Sequence, residues 1–205
     1  MVKHCAKQRG VAVLICLLML IMVMLLGASA ANLSLQGEKA ARGERDRDVA
    51  FLAAEDALAD AELDIQGGAG GVASSARAAA FSTDATAEIF AAGCAGAGAA
   101  SQGLRARAPD GVPPVWQSVD LSGAEDGGAC TVPYGAFTTA QMPVGEGFLP
   151  FQKPRYVIER MACRQPGEDA SASAASRYCY RVTVIGFGAK PATEVVLQSV
   201  FVKPE

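Results

Sequence analysis

The stretch RDRDVAFLAAEDALADAELDIQ, residues 45–66, decides the fold. Its apolar side chains at Phe51, Ala54, Leu58, Ala61 and Ile65 recur at alternating steps of three and four, which is one stripe of an amphipathic α-helix. The acids Asp48, Glu55, Asp56, Asp60, Glu62 and Asp64 fall on the remaining faces and are expected to form a solvated side. Alanine is dense here and favours helix. The pair Gly67-Gly68 predicts its end, because glycine readily takes the left-handed conformation that closes a helix. The stripe needs a surface to cover, and the chain has to supply it.

Upstream lies GVAVLICLLMLIMVMLLGASAA, residues 10–31. From Val11 to Ala31 no residue is charged, and the next charge is Glu38. At about 1.5 Å per residue the run matches the ~30 Å core of a bilayer. A leader with Lys3, Lys7 and Arg9 and no acid precedes it. Two fates follow from general rules, removal after Ala30 as a secretory signal or retention of the whole chain as an anchor; a third rests on Gly10, because a basic leader, then Gly, then an uninterrupted apolar helix resembles the signal of type IV prepilins, which implies a cut after Gly10 that leaves the apolar helix in place. A secretory signal is normally followed by an independent domain, whereas here the helical pattern continues. A helix unbroken from Val11 to Gln66 would measure on the order of 80 Å, too long for a compact domain of this size, so part of it is expected to protrude. Asn32 to Gly37 is where it would weaken or bend.

The chain carries a net charge of −3, and without its first ten residues it would hold 15 basic against 21 acidic side chains. That balance excludes a general nucleic-acid binder. The only histidine is His4, so a chain without the leader lacks the usual general base and the commonest metal ligand. No catalytic, cofactor-binding or metal-binding constellation is legible. Glu55 and Asp56 are adjacent on a helix and point apart, and no nucleophile elbow occurs. The Gly-rich runs lack the lysine of a phosphate loop, since no lysine lies between Lys39 and Lys153. Cys94, Cys130, Cys163 and Cys179 are dispersed without metal or redox spacing, which points to disulfides in an oxidising compartment. Three pairings are possible; Cys94–Cys130 with Cys163–Cys179 is favoured, because each closes a short local loop.

Residues 67–111 are rich in Gly, Ala and Ser and read as loops, with a short helix near Asp84 to Ala92. PPVW (113–116) and CTVPYG (130–135) place aromatic residues among Pro and Gly and are expected to be loop or core anchors. Three runs at the C-terminus, RYVIERMAC, RYCYRVTVIGF and EVVLQSVFV, are rich in β-branched and aromatic residues and are joined by turn-like segments. The fold class is α+β: a long N-terminal α-helix, membrane-spanning in its first half, packed on a C-terminal antiparallel β-sheet. The expected divisions are a leader (1–10), a transmembrane helix (11–31), its amphipathic continuation (32–66) and a globular part (67–205).

The leader ending KQRG, the apolar helix and the block with Arg47, Ala50, Phe51, Ala53, Ala54, Glu55, Ala57, Leu58, Ala61 and Glu62 together resemble the N-terminus of PilX-type minor pilins of bacterial type IV pili. PRYVIERM (154–161) and the last two strand runs resemble that family's closing strands. The resemblance implies a non-enzymatic pilus assembly protein, cut after Gly10 by a prepilin peptidase and methylated at Val11. It implies an inner-membrane protein with a periplasmic C-terminal domain, later drawn into the extracellular pilus. Its implied partners are other minor pilins, the major pilin and a large tip adhesin. One departure is informative. Major pilins carry a glutamate at the fifth residue after the cut, and here that position is Ile15. A charge in lipid is costly unless paired, so its absence suits a subunit at the pilus tip with nothing ahead of it. The other reading is a secreted or membrane-anchored envelope binding module.

Overall fold

The computed structural model describes residues 11–68, 75–82, 85, 87–90, 99–163 and 177–204. The chain divides into two units, Met1–Arg45 and Asp46–Glu205. One helix, α1 (Val11–Gln66), supplies the described residues of the first unit and the opening segment of the second. It ends where glycine permits it. The Gly67 N–H donates to the Asp64 carbonyl at 3.1 Å and the Gly68 N–H to the Leu63 carbonyl at 2.7 Å, with both glycines at positive φ. These two bonds satisfy carbonyls that the helix leaves open at its end.

In the second unit, α1 packs on a mixed sheet. Its long strands are β3 (Arg155–Cys163), β4 (Arg177–Phe187) and β5 (Glu194–Val202). β4 pairs antiparallel with both neighbours, through Ile158↔Val182 and Val184↔Leu197. The other edge of β3 takes two short strands. β1 (Leu104–Ala106) runs parallel to it through Leu104↔Ile158, and β2 (Val132–Pro133) antiparallel through Val132↔Tyr156. The parallel strand extends the expected three-stranded arrangement, and it comes from the segment that reads as loop. Glycine makes that strand possible. Gly103, at φ +68, accepts from the Ile158 N–H through its carbonyl and lies so close to β2 that a Cβ would stand 2.5 Å from Val132 Cγ2.

Two clusters fill the interior. The larger joins Ala54, Ala57, Ala61 and Ile65 of α1 to Tyr156, Ile158, Tyr180, Val182 and Val184 of the sheet. The smaller lies on the opposite face, where Val115 and Val119, at and just beyond the short helix α3 (Val115–Ser118), pack with Cys130 and Val157. Residues 67–111 contribute more to the core than their composition suggests. Ala80, Phe81, Phe90 and Leu104 are all buried in the larger cluster. Helix α2 (Ser75–Ala80) leads into Phe81, whose ring meets Tyr180 edge-on at 5.4 Å. The 3-10 turn Ala87–Phe90 falls within the span expected to be helical and brings in Phe90, 6.2 Å from Phe81. Small residues let these short elements lie close to the sheet, and two aromatic rings supply the buried area that alanine cannot.

The helix face that packs differs from the expected stripe. Ala54, Ala61 and Ile65 are buried, but Leu58 is half-buried and Phe51 is 42% exposed. Ala50, Ala53 and Ala57 are buried in their place. The cause is the width of the gap. A Cβ on Gly186 of β4 would lie 2.2 Å from the Ala50 carbonyl oxygen and 2.6 Å from the Ala54 nitrogen. Helix and strand meet nearly backbone to backbone, which alanine allows and phenylalanine does not. Rotation of the stripe also turns acids inward: Asp46, Asp60 and Asp64 are buried, correcting the solvated face expected for Asp60 and Asp64.

Cys163 and Cys179 form a disulfide with Cα atoms 5.5 Å apart and a sequence separation of 16. Closing a loop of that length contributes about 3 kcal/mol in the chain-entropy account. Cys130 is also disulfide-bonded; Cys94 lies outside the described residues, as do the hairpin loop between β3 and β4 and the residues before Val11.

The contact at Gly186 makes a prediction. Gly186→Val is expected to lower the stability of the detergent-solubilised chain by about 3 kcal/mol or more, because the atoms it meets are backbone that has to move. Urea unfolding followed by circular dichroism measures it. A loss comparable to an exposed substitution would refute the close approach.

Candidate functional site

The feature that does not serve the folded core is the first half of α1. Every residue from Val11 to Arg45 is exposed. Its most apolar 18-residue window has a mean hydropathy of 3.1, and none of that window is buried. Val11 begins the described helix, 64% exposed, and Ile15 is 48% exposed among Val13, Leu14, Leu17 and Leu18. Gly10, the expected cleavage residue, lies outside the described residues. An apolar helix exposed all round requires an apolar surround, and length and composition suit a membrane span. Ser29 fits that setting, since its hydroxyl donates to the Leu25 carbonyl at 2.8 Å and leaves no unmet donor.

The second half of α1 is fastened to its domain by three carboxylates along the buried face. Asp64 is the deepest. Arg77 of α2 grips it from Nε at 3.0 Å and from Nη2 at 2.5 Å, and the Tyr156 hydroxyl donates to it at 3.1 Å. Both charged side chains are fully buried. Arg77 spends its remaining nitrogen on the carbonyls of Ala100 and Gln102, each at 2.8 Å, and its guanidinium lies 4.0 Å from the centre of the Phe137 ring. A buried pair is stable only when every polar atom finds a partner, and this one gathers α1, α2, β3 and the chain before β1 around a single charge pair. Burial, with the charges of Asp64 and Asp60, pushes the Tyr156 phenol well above its ordinary range, so it remains a neutral donor.

One turn earlier, Asp60 holds the loop after β2. It accepts from the Gly135 N–H at 2.8 Å and from the Thr138 hydroxyl. Gly135, at φ +77, has the Ala140 carbonyl where a side chain would stand, so the turn closes on Asp60 only because residue 135 is glycine. Burial, aided by the charge of Asp64, raises the Asp60 carboxyl above its ordinary 3.8 against the pull of those hydrogen bonds. Asp46 clamps the turn between β4 and β5. It accepts from the Ala189 N–H at 2.6 Å, the Lys190 N–H at 3.2 Å and the Thr193 hydroxyl. Burial raises this carboxyl too, but the bonds from Thr193, Ala189 and Lys190 and the Lys190 charge outweigh it and hold it below 3.8.

Other residues singled out in the sequence fall into place. Trp116 is half-buried in α3, beside Val115 of the smaller cluster, and Tyr134 packs against the larger one. Glu55 and Asp56 are both exposed. Among the described residues no three His, Cys, Asp or Glu side chains come together as a metal-binding group. The buried acids are what sequence reasoning missed. Their signal was present, since Asp46, Ala50, Ala53, Ala57, Asp60 and Asp64 share a helical face. An apolarity criterion passes over it.

Two predictions follow from these clamps. Arg77→Met is expected to cost about 3–5 kcal/mol, because it strands the Asp64 charge in the core. Arg77→Met with Asp64→Leu is expected to recover much of that, as read by urea unfolding. For Asp46, a folded pKa below the unfolded one means that its clamp stabilises at neutral pH and is lost as pH falls below 3.8. Asp46→Asn is therefore expected to weaken the domain at neutral pH and to flatten its acid loss. Asp60, raised rather than lowered, acts with the opposite sign, so Asp60→Asn should cost least near neutral pH. Stability measured in each variant from neutral pH down through 3.8 checks both signs.

Comparison with known proteins covers nearly the whole of this architecture. The family described as PilX N-terminal matches residues 9–59, which hold the apolar helix and the first two-thirds of its clamped half. The family described as Type IV pilus assembly protein PilX C-term matches residues 72–203, which hold the sheet and its flanking elements. No curated protein and no solved structure matches the chain. With the exposed apolar helix, the clamped domain and these two matches together, the chain belongs to the PilX family of type IV pilus assembly proteins.

Proposed function

We propose that this PilX-family chain acts as a minor pilin in a complex that primes type IV pilus assembly and remains at the pilus tip. The observation that carries the reading is Ile15. The apolar run has no acid before Glu38, so it lacks the buried carboxylate with which a shaft subunit, by the resemblance above, would meet the terminal ammonium of its neighbour. A subunit with no neighbour ahead of it loses nothing by that, because an unpaired carboxylate in lipid or in a packed apolar core is costly. The first half of α1 then serves twice, as an anchor in the inner membrane and as a packed element once the subunit is extracted. The clamps at Asp46, Asp60 and Asp64 support this. Pulling on α1 loads the contacts between helix and sheet, and each carboxylate ties the helix to a different part of the domain.

On this reading a prepilin peptidase cuts after Gly10, Val11 becomes the methylated N-terminus, and the domain from Asp46 onward is periplasmic before export. The partners are other minor pilins, the major pilin and a large tip adhesin. The role is structural and needs no catalytic group.

The N-terminal residue of the protein isolated from cells tests the first step. Methylated Val11 is expected by mass spectrometry; Ala31 would indicate a secreted module and Met1 an uncut anchor. Position is tested by labelling a tagged copy on filaments, where signal at one end is expected and even labelling along the shaft would sink the tip assignment.

A further inference from the structure

Strand β5 ends the sheet, and among the described residues no strand pairs with its outer edge. Hydrogen-bond parity identifies the residues that face outward. The Ile158 N–H donates to the Gly103 carbonyl and the Arg107 N–H to the Arg160 carbonyl, so even-numbered residues of β3 point toward β1 and odd-numbered ones toward β4. Carried through Glu159↔Arg181 and Val182↔Ser199, that alternation turns the odd-numbered residues of β5 toward β4 and the even-numbered ones away from it. The backbone N–H and C=O groups of Glu194, Val196, Gln198, Val200 and Val202 therefore line an edge about 30 Å long. All five residues are exposed. The usual protections of such an edge are missing. β5 has no proline, no bulge in its register with β4, and one charged residue, Glu194. Val196 and Val200 stand 50% and 58% exposed on it.

We propose that the edge of β5 pairs antiparallel with β5 of a second copy of this chain, about a two-fold axis through Gln198. The edge is its own complement. Rotation about that axis sets Gln198 on the partner's Gln198, Val196 on the partner's Val200 and Glu194 on the partner's Val202. All the outward residues of both copies then exchange their hydrogen bonds, whereas any other antiparallel register leaves at least one of them unpaired. Charge agrees with this arrangement. Glu194 lies at one end of the strand and Lys203 just beyond the other. Antiparallel pairing brings acid and base together at each end, and parallel pairing sets like charge beside like. The contact is small. A strip of about 30 Å by 10 Å covers roughly 300 Å² of each copy, against ~800 Å² in a standard interface, so the pair is weak and forms where copies are concentrated. The edge lies wholly within the second unit, and its pairing is independent of the tip assignment.

Disulfide cross-linking of the full chain in lipid vesicles tests the register. The background carries Cys5→Ser and Cys16→Ser, the latter removing an exposed free thiol, and copper–phenanthroline is the oxidant. Gln198→Cys is expected to give a linked dimer, since Cα atoms across a hydrogen-bonded pair lie about 5.5 Å apart, within disulfide range. Val196→Cys alone is expected to give about tenfold less, because the same position on the partner is about 14 Å away along the strand. Mixing Val196→Cys and Val200→Cys chains restores the dimer. Val200→Pro, added to Gln198→Cys, removes an outward donor without touching the ladder to β4 and is expected to cut the dimer about fivefold. Val200→Lys keeps that donor and sets a charge against the partner's Val196; it replaces the proline variant if circular dichroism shows the latter to be misfolded. A yield at Gln198→Cys no higher than at Val196→Cys overturns the proposal, as does a yield that neither Val200 substitution lowers. Cross-linking of Gln198→Cys to a different protein in whole membranes, with no self-dimer, overturns it in favour of a strand from another subunit.

Discussion

The Ala50 carbonyl occupies the place where a side chain on residue 186 would be. Much of the second unit follows from that approach. A helix so close to a strand can present only small residues to it, so the contact face is a row of alanines. Such a row buries little area per residue, and at about 25 cal/mol per Å² it contributes less than a leucine stripe would. The domain makes up the difference in two ways. Aromatic residues from the Ala- and Gly-rich segment, Phe81 and Phe90, fill the space beside the sheet. Carboxylates interspersed with the alanines then fasten the helix at particular points.

Those fastenings are polar, and this makes them specific. A row of alanines against a sheet resists neither sliding by one turn nor rotation about the helix axis. Asp64 paired with Arg77, Asp60 seated on the Gly135 turn and Asp46 seated on the Ala189–Thr193 turn each fix register, since any shift would leave a buried charge unmet. The same logic explains the opposite displacements of Asp46 and Asp60. Asp46 gathers three donors and the Lys190 charge, enough to overcome burial, whereas Asp60 has two donors and a like charge one turn away.

The division of labour along α1 suits a protein of a pilus assembly family. One half is made for an apolar surround and satisfies its backbone internally. The other half is held by a domain with sheet, disulfide and buried ion pair. On the proposed function, in which the subunit moves from membrane to filament, it would be pulled without unfolding, and a helix tied to several elements of its domain transmits such a load better than one attached by apolar contact alone.

Much of this was legible in the sequence because it depends on local rules. The apolar run, the continuation as helix to Gln66, the glycine stop and the three closing strands each follow from composition and periodicity over a short span. The pairing of Cys163 with Cys179 followed from their placement on either side of one hairpin loop. What the sequence left open depended on contacts between residues far apart. Phe51 looked like part of the packing stripe because apolarity usually marks the buried face, and only the proximity of Gly186 to Ala50 and Ala54 shows that the gap there takes small residues; Leu58, further along, does pack half-buried against the larger cluster. Asp60 and Asp64 looked solvated because their partners, Thr138, Gly135, Arg77 and Tyr156, lie 13 to 92 residues away. Strand β1 was hidden because three residues in a Gly-rich segment have no periodicity of their own and become a strand only when β3 offers an edge. Sequence determined which elements exist; tertiary structure decided which faces meet, because burial of a charge is tolerable only where a distant partner happens to be waiting for it.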